Sequence, residues 1–267
     1  MRENDAFLAL EETYLAQWEW TISAGLFHFS LQDATYQPPQ ATIDAQKNRA
    51  RSDPSPPLFL THQTPNPLPK CRENALNRLF LARRTCREAA DRAITLAQLA
   101  DCLFAGLGIV GEVETETGLL PLKTTPSGGA RNPFEAYVFA RNVDGLEPGI
   151  YHYSGKQHSL RQLASRHPEN VANLLGDQDW VEAMPCFVFL VAYLERTMWK
   201  YSDSNAYRVV LIEAGHIGQN IMLAATQTGL SACPTAALAH TAIRNLLGLT
   251  RLTQAPLYAL TLSYPAE

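Results

Sequence analysis

The run "PCFVFLVAYL", Pro185 to Leu194, is the most apolar stretch of the chain and decides how the rest is read. Its length and its mix of branched and aromatic residues describe a strand buried in a core. It leads into "RTMWKYSD", Arg196 to Asp203, which sets a Trp, a Lys and a Tyr side by side before the next helical pattern. A strand end that presents Trp199, Lys200 and Tyr201 raises the question of what they face.

Downstream of that strand, "SNAYRVVLIEAGHIGQNIMLAATQTGL" is the longest helical pattern. Val210, Ala214, Ile217, Ile221 and Ala225 form one stripe, with Gly229 as a stop. A strand at "SACPT", a helix near "HTAIRNLLG" and a final strand "PLYALTLSY" follow. Upstream, "ENALNRLFLARRT" and "TLAQLADCLFAGLG" read as helices, the second capped by Thr95 and stopped near Gly108. "FEAYVFARNV" alternates as a strand after the loop "PLKTTPSGGARNP", and "IYHYSGKQHSL" is a hairpin around Ser154-Gly155. Strands and helices mix without a steady βαβ rhythm, so the expected class is α+β.

Before Cys71 the text changes. "FLALEETYLAQWEW", Phe7 to Trp20, has the spacing of a short amphipathic helix, and "GLFHFSLQ" that of a strand. Eight of the 17 prolines then fall between Gln37 and Lys70. Proline fixes φ and removes amide donors, so that stretch forms no continuous helix or central strand. The chain divides into an N-terminal extension with a Pro-rich arm, residues 1–70, and a main domain, residues 71–267.

Composition narrows the function. A formal charge of −4 and no long block of Lys and Arg argue against nucleic-acid binding. The N-terminus lacks the basic-then-apolar order of a secretory signal, and no uninterrupted apolar run reaches the roughly 18 residues that cross a bilayer. The five cysteines form no CxxC pair, which favours reduced core thiols over disulfides or a metal site. A cytoplasmic protein is expected.

Four segments could carry chemistry. In "TPSGGARNP", Gly128 and Gly129 let backbone amides approach a flat or anionic ligand; an ordinary turn would read the same. "RRT", Arg83 to Thr85, suits a phosphate, or a solvated helix end. "EAGHIGQN", Glu213 to Asn220, puts two glycines inside a helix at about 1 kcal/mol each, which implies close contact with a helix or ligand. Its His216 is a catalytic or a packed histidine. "GLSACP", Gly229 to Pro234, offers a small-residue surface to a flat ring or to a neighbouring helix.

The order of these segments resembles the FMN-dependent nitroreductase superfamily, and within it the SagB-type azoline dehydrogenases that act in ribosomal peptide maturation. The likeness is carried by "RRT", by "PSGGARNPFEAYVFARNVDGLEPGIYHY" at 126–153, by "ERTMWKY" at 195–201, and by "EAGHIGQN" through "GLSACP". It implies a central, mainly antiparallel mixed sheet flanked by helices, and a long helix at a homodimer interface with FMN between subunits. Arg83, Arg84 and Thr85 would hold the phosphate and ribityl chain. Pro126, Ser127, Gly128 and Gly129 would lie along the isoalloxazine, with Gly229, Leu230, Ser231 and Ala232 also touching it. Asn132 stands where this branch commonly has His, and Ser231 and Ala236 stand where glycines are usual.

The resemblance also assigns Lys200 and Tyr201 as the catalytic pair. Turning an azoline into an azole removes a proton and a hydride from adjacent carbons; the flavin takes the hydride and a base must take the proton. A lysine does so near neutral pH only where burial or nearby positive charge disfavours its ammonium form. Trp199, Arg196 and the flavin site would supply that environment, and Tyr201 would orient the substrate or relay the proton. A lysine snorkelling from a strand end is the plainer reading. The implied activity is oxidation of a modified peptide or amino-acid-derived substrate, with oxygen reoxidising the flavin and a cyclodehydratase or carrier protein as a partner. An NAD(P)H-driven reductase of nitroaromatics or quinones and a flavin-free scaffold for a cyclase are the alternatives.

Overall fold

The computed structural model describes residue 28 and residues 67–266, apart from 116–117, 165–167, 169 and 202–203. The expected helix at 7–20, the strand around 25–32 apart from His28, and nearly all of the Pro-rich arm lie outside the described residues; His28 is helical, not extended.

In chain order the elements are α1 (Ala75–Ala82), β1 (Ile94–Thr95), α2 (Leu96–Leu107), β2 (Ile109–Thr115), β3 (Gly118–Lys123), β4 (Phe134–Ala140), β5 (Val143–Asp144), β6 (Gly149–Ser154) and β7 (Ser159–Ala164). Then come β8 (Cys186–Tyr193), α3 (Leu194–Met198), α4 (Asn205–Gln227), β9 (Ser231–Thr235), α5 (His240–Leu247) and β10 (Gln254–Ser263). Six strands make one sheet in the order β7-β6-β4-β8-β10-β9, with every neighbouring pair antiparallel. The two-residue pair β1–β5 is parallel. The class is α+β, as the patterning implies.

β8 sits in the middle of the sheet, paired to β4 on one side and β10 on the other. Side chains alternate across a strand, so one set faces each side. Cys186, Val188, Leu190 and Ala192 join the core under α2 and α4. Phe187, Phe189 and Val191 join a second core with Ile243 and Leu247 of α5. Burial on both faces is why the run is continuously apolar rather than alternating.

α2 begins where the capping residues require. Thr95 Oγ1 accepts from Gln98 N–H at 3.2 Å, and Gln98 Oε1 accepts from Thr95 N–H at 2.9 Å. α4 crosses the sheet with Val210, Ala214, Ile217, Ile221 and Ala225 buried beneath it. By length and composition this helix could span a bilayer, yet here its apolar stripe is spent on the chain's own core. Gly218 makes that approach possible: a Cβ there would sit 2.5 Å from Tyr258 Cε1 of β10. The side left uncovered by the described residues carries Leu211, Ile212, Gly215 and His216.

Three expectations change. Pro121–Lys123, expected to open the loop "PLKTTPSGGARNP", instead end β3 of a β2–β3 hairpin over Ile109–Lys123. A short helix, α3, separates β8 from Lys200, so Lys200 does not end the strand. Cys71 is exposed and Cys86 half-buried, so only Cys102, Cys186 and Cys233 are core thiols.

Candidate active site

The loop from β3 to β4 is pinned at both ends. Buried Thr125 donates to Gly106 O at 2.7 Å and accepts from Asn220 Nδ2 of α4 at 3.0 Å, which ties the loop to α2 and α4. Pro126 is exposed, and Ser127 turns inward, where its Oγ accepts from Asn132 N–H at 2.8 Å. Gly128 lies so close to Val209 of α4 that a Cβ would overlap it. Gly129 is left-handed at φ 61°, ψ 23°, and Ala130 and Asn132 share positive φ. Asn132 tolerates that backbone better than most residues. It is buried, with its amide donating to Pro121 O at 3.0 Å and Ala130 O at 3.1 Å.

α3 carries the second predicted group to this loop. A Cβ on Gly129 would stand 2.6 Å from Lys200 Cδ and 2.8 Å from Lys200 Nζ. The lysine therefore lies directly against the glycine turn. It is exposed, as is Trp199, so the burial expected for it is not supplied by the described residues of one chain. Its Nζ is 5.7 Å from the Tyr201 ring, and half-buried Tyr201 comes within 4.0 Å of the Gly128 Cβ position. Trp199 is 62% exposed, with the Arg131 guanidinium 4.9 Å over its ring. The structure thus brings together Pro126–Gly129, Lys200 and Tyr201.

Buried charges support this corner, and the residue pattern had singled out none of them except Arg196. Glu213 of α4 is 4% exposed and takes hydrogen bonds from Ser127 and from the Gly128 amide. Burial holds its carboxyl above the ordinary value, and the two hydrogen bonds and Lys123 only partly offset this. Lys123 donates to Phe134 O at 3.2 Å, and burial pushes its amine below the ordinary value. Glu135 binds Arg196 at 2.6 Å and His152 at 3.0 Å. Burial alone would raise its carboxyl, but hydrogen bonds from His152 and Arg196 win and hold it low. The sequence signal for Glu213 was a carboxylate on the helical stripe side, next to the glycines that drew the eye. His216 is exposed on the outer side of α4, so it is not a core histidine.

The remaining predicted residues lie elsewhere. Half-buried Arg83 closes α1 through its N–H on Leu79 O at 2.9 Å; Arg84 and Thr85 are exposed. The strand-like segment after them runs beside the end of β10, with Ala90 N–H on Tyr264 O at 3.0 Å. Ser231 pairs there with Ser263, and buried Leu230 and Ala232 flank it. Gly229, at φ 80°, is used by the turn that ends α4, where Leu230 N–H reaches Ala225 O at 2.8 Å. Along α4, Val209 beside Gly128 and Gln227 beside Gly229 are about 27 Å apart at a rise of about 1.5 Å per residue. Two candidate half-sites, the glycine turn with Lys200 and the Gly229–Ala232 segment, therefore lie near opposite ends of α4. Neither Arg83 nor Arg84 has a carboxylate partner among the described residues; Arg84 Nη1 donates to Arg83 O at 2.7 Å, and the other guanidinium donors could take an anion such as a phosphate.

Comparison with known proteins gives the following. The sequence profile described as "Nitroreductase family" matches residues 81–264. A Methanocaldococcus jannaschii protein named for the same family is 34% identical over 181 residues, 67% of this chain and 87% of that protein. The trifolitoxin-processing protein TfxB of Rhizobium leguminosarum bv. trifolii is 33% identical over 132 residues, 48% of this chain but only 35% of its own length. Among solved structures, the Escherichia coli microcin synthetase McbBCD complex with truncated pro-MccB17 bound matches with a TM-score of 0.65 at 17% identity. That match covers 90% of this chain and 86% of the matched one, and at this identity it speaks to the fold.

Proposed function

The chain belongs to the nitroreductase family, and we propose that it is an FMN-dependent dehydrogenase that oxidises an azoline, thiazoline or oxazoline, to the azole in a peptide- or amino-acid-derived substrate. The observation that carries this reading is the Lys200 side chain lying against Gly129. A base and a flat, side-chain-free backbone turn meet at one point, which is what removal of a proton beside a planar acceptor needs. FMN, when bound, supplies the two-electron acceptor for the hydride. Arg83 and Arg84 would neutralise its phosphate, and the Ser127–Gly129 backbone would permit close approach of its ring. Lys200 Nζ takes the ring proton, and Tyr201, wedged toward Gly128, orients the substrate.

The two half-sites, about 27 Å apart along α4, make this a two-chain site in the proposal. The Gly129–Lys200 corner of one copy faces the Arg83–Arg84 and Gly229–Ala232 end of the other. Leu211, Ile212 and Gly215, on the side of α4 left uncovered by the described residues, suit the contact between copies. Gly218, packed on Tyr258, serves the chain's own core instead. A peptide substrate is favoured because TfxB is named for toxin processing and the microcin complex was solved with a propeptide bound. A cyclodehydratase or carrier protein would then present the substrate.

The purified protein should be yellow and release FMN on denaturation. Lys200→Ala should keep the flavin and lose turnover of a thiazoline-containing peptide by about 10²–10⁴-fold, the usual contribution of a general base. Rapid bleaching by NAD(P)H with nitroaromatic turnover, and no thiazoline oxidation, would replace this reading with a reductase.

A further inference from the structure

Two adjoining recesses of about 390 Å³ each share Pro121, Arg131, Asn132 and Arg196 in their walls, and one of them reaches Ala130 and Trp199, the chain neighbours of Gly129 and Lys200. One end is apolar, formed by Leu120 and Trp199; the other continues to Lys123 and Lys156. Four cations, Lys123, Arg131, Lys156 and Arg196, line this groove against two carboxylates, Glu135 and Glu195, in a chain of net charge −4.

Most of that charge is already matched. Glu135 is taken by Arg196 and His152, and Glu195 lies 3.6 Å from Arg251. Lys123 turns inward to Phe134 O. Arg131 and Lys156 are left over, and neither has an ion pair among the described residues. Arg131 is held in place: its Nε donates to Gly129 O at 2.9 Å and its plane covers Trp199. Its two terminal nitrogens have no partner among the described residues, and both it and Lys200 touch Gly129. A fixed guanidinium fork with free ends, beside an exposed aromatic platform, matches a carboxylate next to a flat ring.

We propose that this groove selects substrates that carry a carboxylate close to the reacting ring, bound by Arg131 and then Lys156. The inference rests on the dehydrogenase reading and names the substrate class for it. The carboxylate is that of an acidic side chain or of a free peptide C-terminus.

Three probes separate these sources: a glycyl-thiazolyl-glycine ending in a carboxamide, the same molecule with a free C-terminal carboxylate, and the carboxamide extended by one glutamate. Calorimetric titration into the flavin-loaded protein should show one or both acids binding at least about tenfold more tightly than the neutral probe. Whichever acid gains identifies the source. The advantage should shrink as salt rises, because a half-exposed ion pair is screened. Arg131→Gln/Lys156→Gln should keep the affinity for the neutral probe and lose the advantage. Equal binding of all three probes by the wild type, or an advantage that survives in the double variant, would overturn the proposal. The probe and salt comparisons use wild type alone, so poor folding of the variant does not remove the test. Thiazoline oxidation at equal kcat/KM with and without the acid would sink the carboxylate groove and spare the dehydrogenase. Acid-selective binding without any thiazoline oxidation would do the reverse.

Discussion

Gly129→Ala tests whether the glycine turn positions the lysine. The new methyl acts twice. Gly129 sits at φ 61°, ψ 23°, and a left-handed backbone costs a residue with a Cβ roughly 1–2 kcal/mol. That corresponds to a fall in Tm of about 2–8 °C, taking about 2–4 °C per kcal/mol for a domain of this size class. The methyl would also stand 2.6 Å from Lys200 Cδ, and ordinary contact begins near 3.4 Å, so the lysine must retreat by roughly 0.8 Å. The obstructing atoms are the far end of a flexible chain, so this retreat adds little to the stability loss. It does move Nζ, and a displacement near 1 Å in a reacting group can cost about 10²-fold. The assay is a double-mutant cycle in thiazoline turnover, with thermal melting and flavin occupancy followed alongside. In a Lys200→Ala background the tip is gone, so Gly129→Ala should lower Tm by the same amount yet change the residual rate little. An equal fractional loss of rate in both backgrounds would refute the link between turn and lysine, as would full activity in Gly129→Ala despite the expected fall in Tm.

Arg83→Ala/Arg84→Ala should give folded, colourless protein, since two charge-assisted contacts to a phosphate are together worth roughly 2–5 kcal/mol; full flavin occupancy by absorbance would contradict that role. Mixing this variant with Lys200→Ala after mild dissociation should restore turnover that neither has alone, because one mixed site receives an intact half from each chain; no recovery, or a monomer by sedimentation with flavin still bound, would count against a shared site. Glu213 titrates in a definite direction: its folded pKa is raised above the usual 4.5, so its contribution to stability is present below that value and lost as pH rises through the folded pKa. Glu213→Gln should remove that slope, making the wild-type advantage in Tm shrink as pH rises from about 4; a constant difference across the range would mean that folding does not raise the carboxyl's pKa. Glu135, whose pKa is lowered, contributes the opposite slope in both proteins and cancels from the difference.

The strands that pair in the main sheet could be read because each is strongly patterned. β8 is apolar on both faces, and Thr95 with Gln98 marks the start of α2 by local hydrogen bonding alone. The β2–β3 hairpin escaped notice because Val110, Val113, Leu119 and Leu122 are exposed and Pro121 sits within β3, so no face is consistently apolar. α3 is only Leu194–Met198, too short for a periodic signal. On α4 the stripe was legible but not what it covers: Val210, Ile217 and Ile221 pack into the chain's own core, whereas the dimer contact proposed above falls to Leu211 and Ile212. Periodicity shows which side is apolar and says nothing of what covers it. That Gly129 and Gly229 lie toward opposite ends of α4 could not be read from the residues, because sequence order does not reveal where a loop will reach; only the resemblance, with FMN between subunits, implied a divided site. Glu213, Lys123 and Glu135 become informative only when their burial and partners are known.

The position of β10 has a consequence for biosynthesis. β10, the last strand in chain order, is not at an edge but between β8 and β9, paired to both. While the chain emerges from the ribosome, β7, β6, β4 and β8 can already pair, but β9 has no neighbour until β10 arrives. Throughout that interval β8 is an open edge, and it is the most apolar strand in the protein. Unpaired edges of this kind template association between nascent chains. Late insertion of a strand that links distant segments also slows completion of the fold. Newly made chains should therefore depend on chaperone protection until β10 has been made, and truncation within β10 should yield aggregated rather than soluble protein.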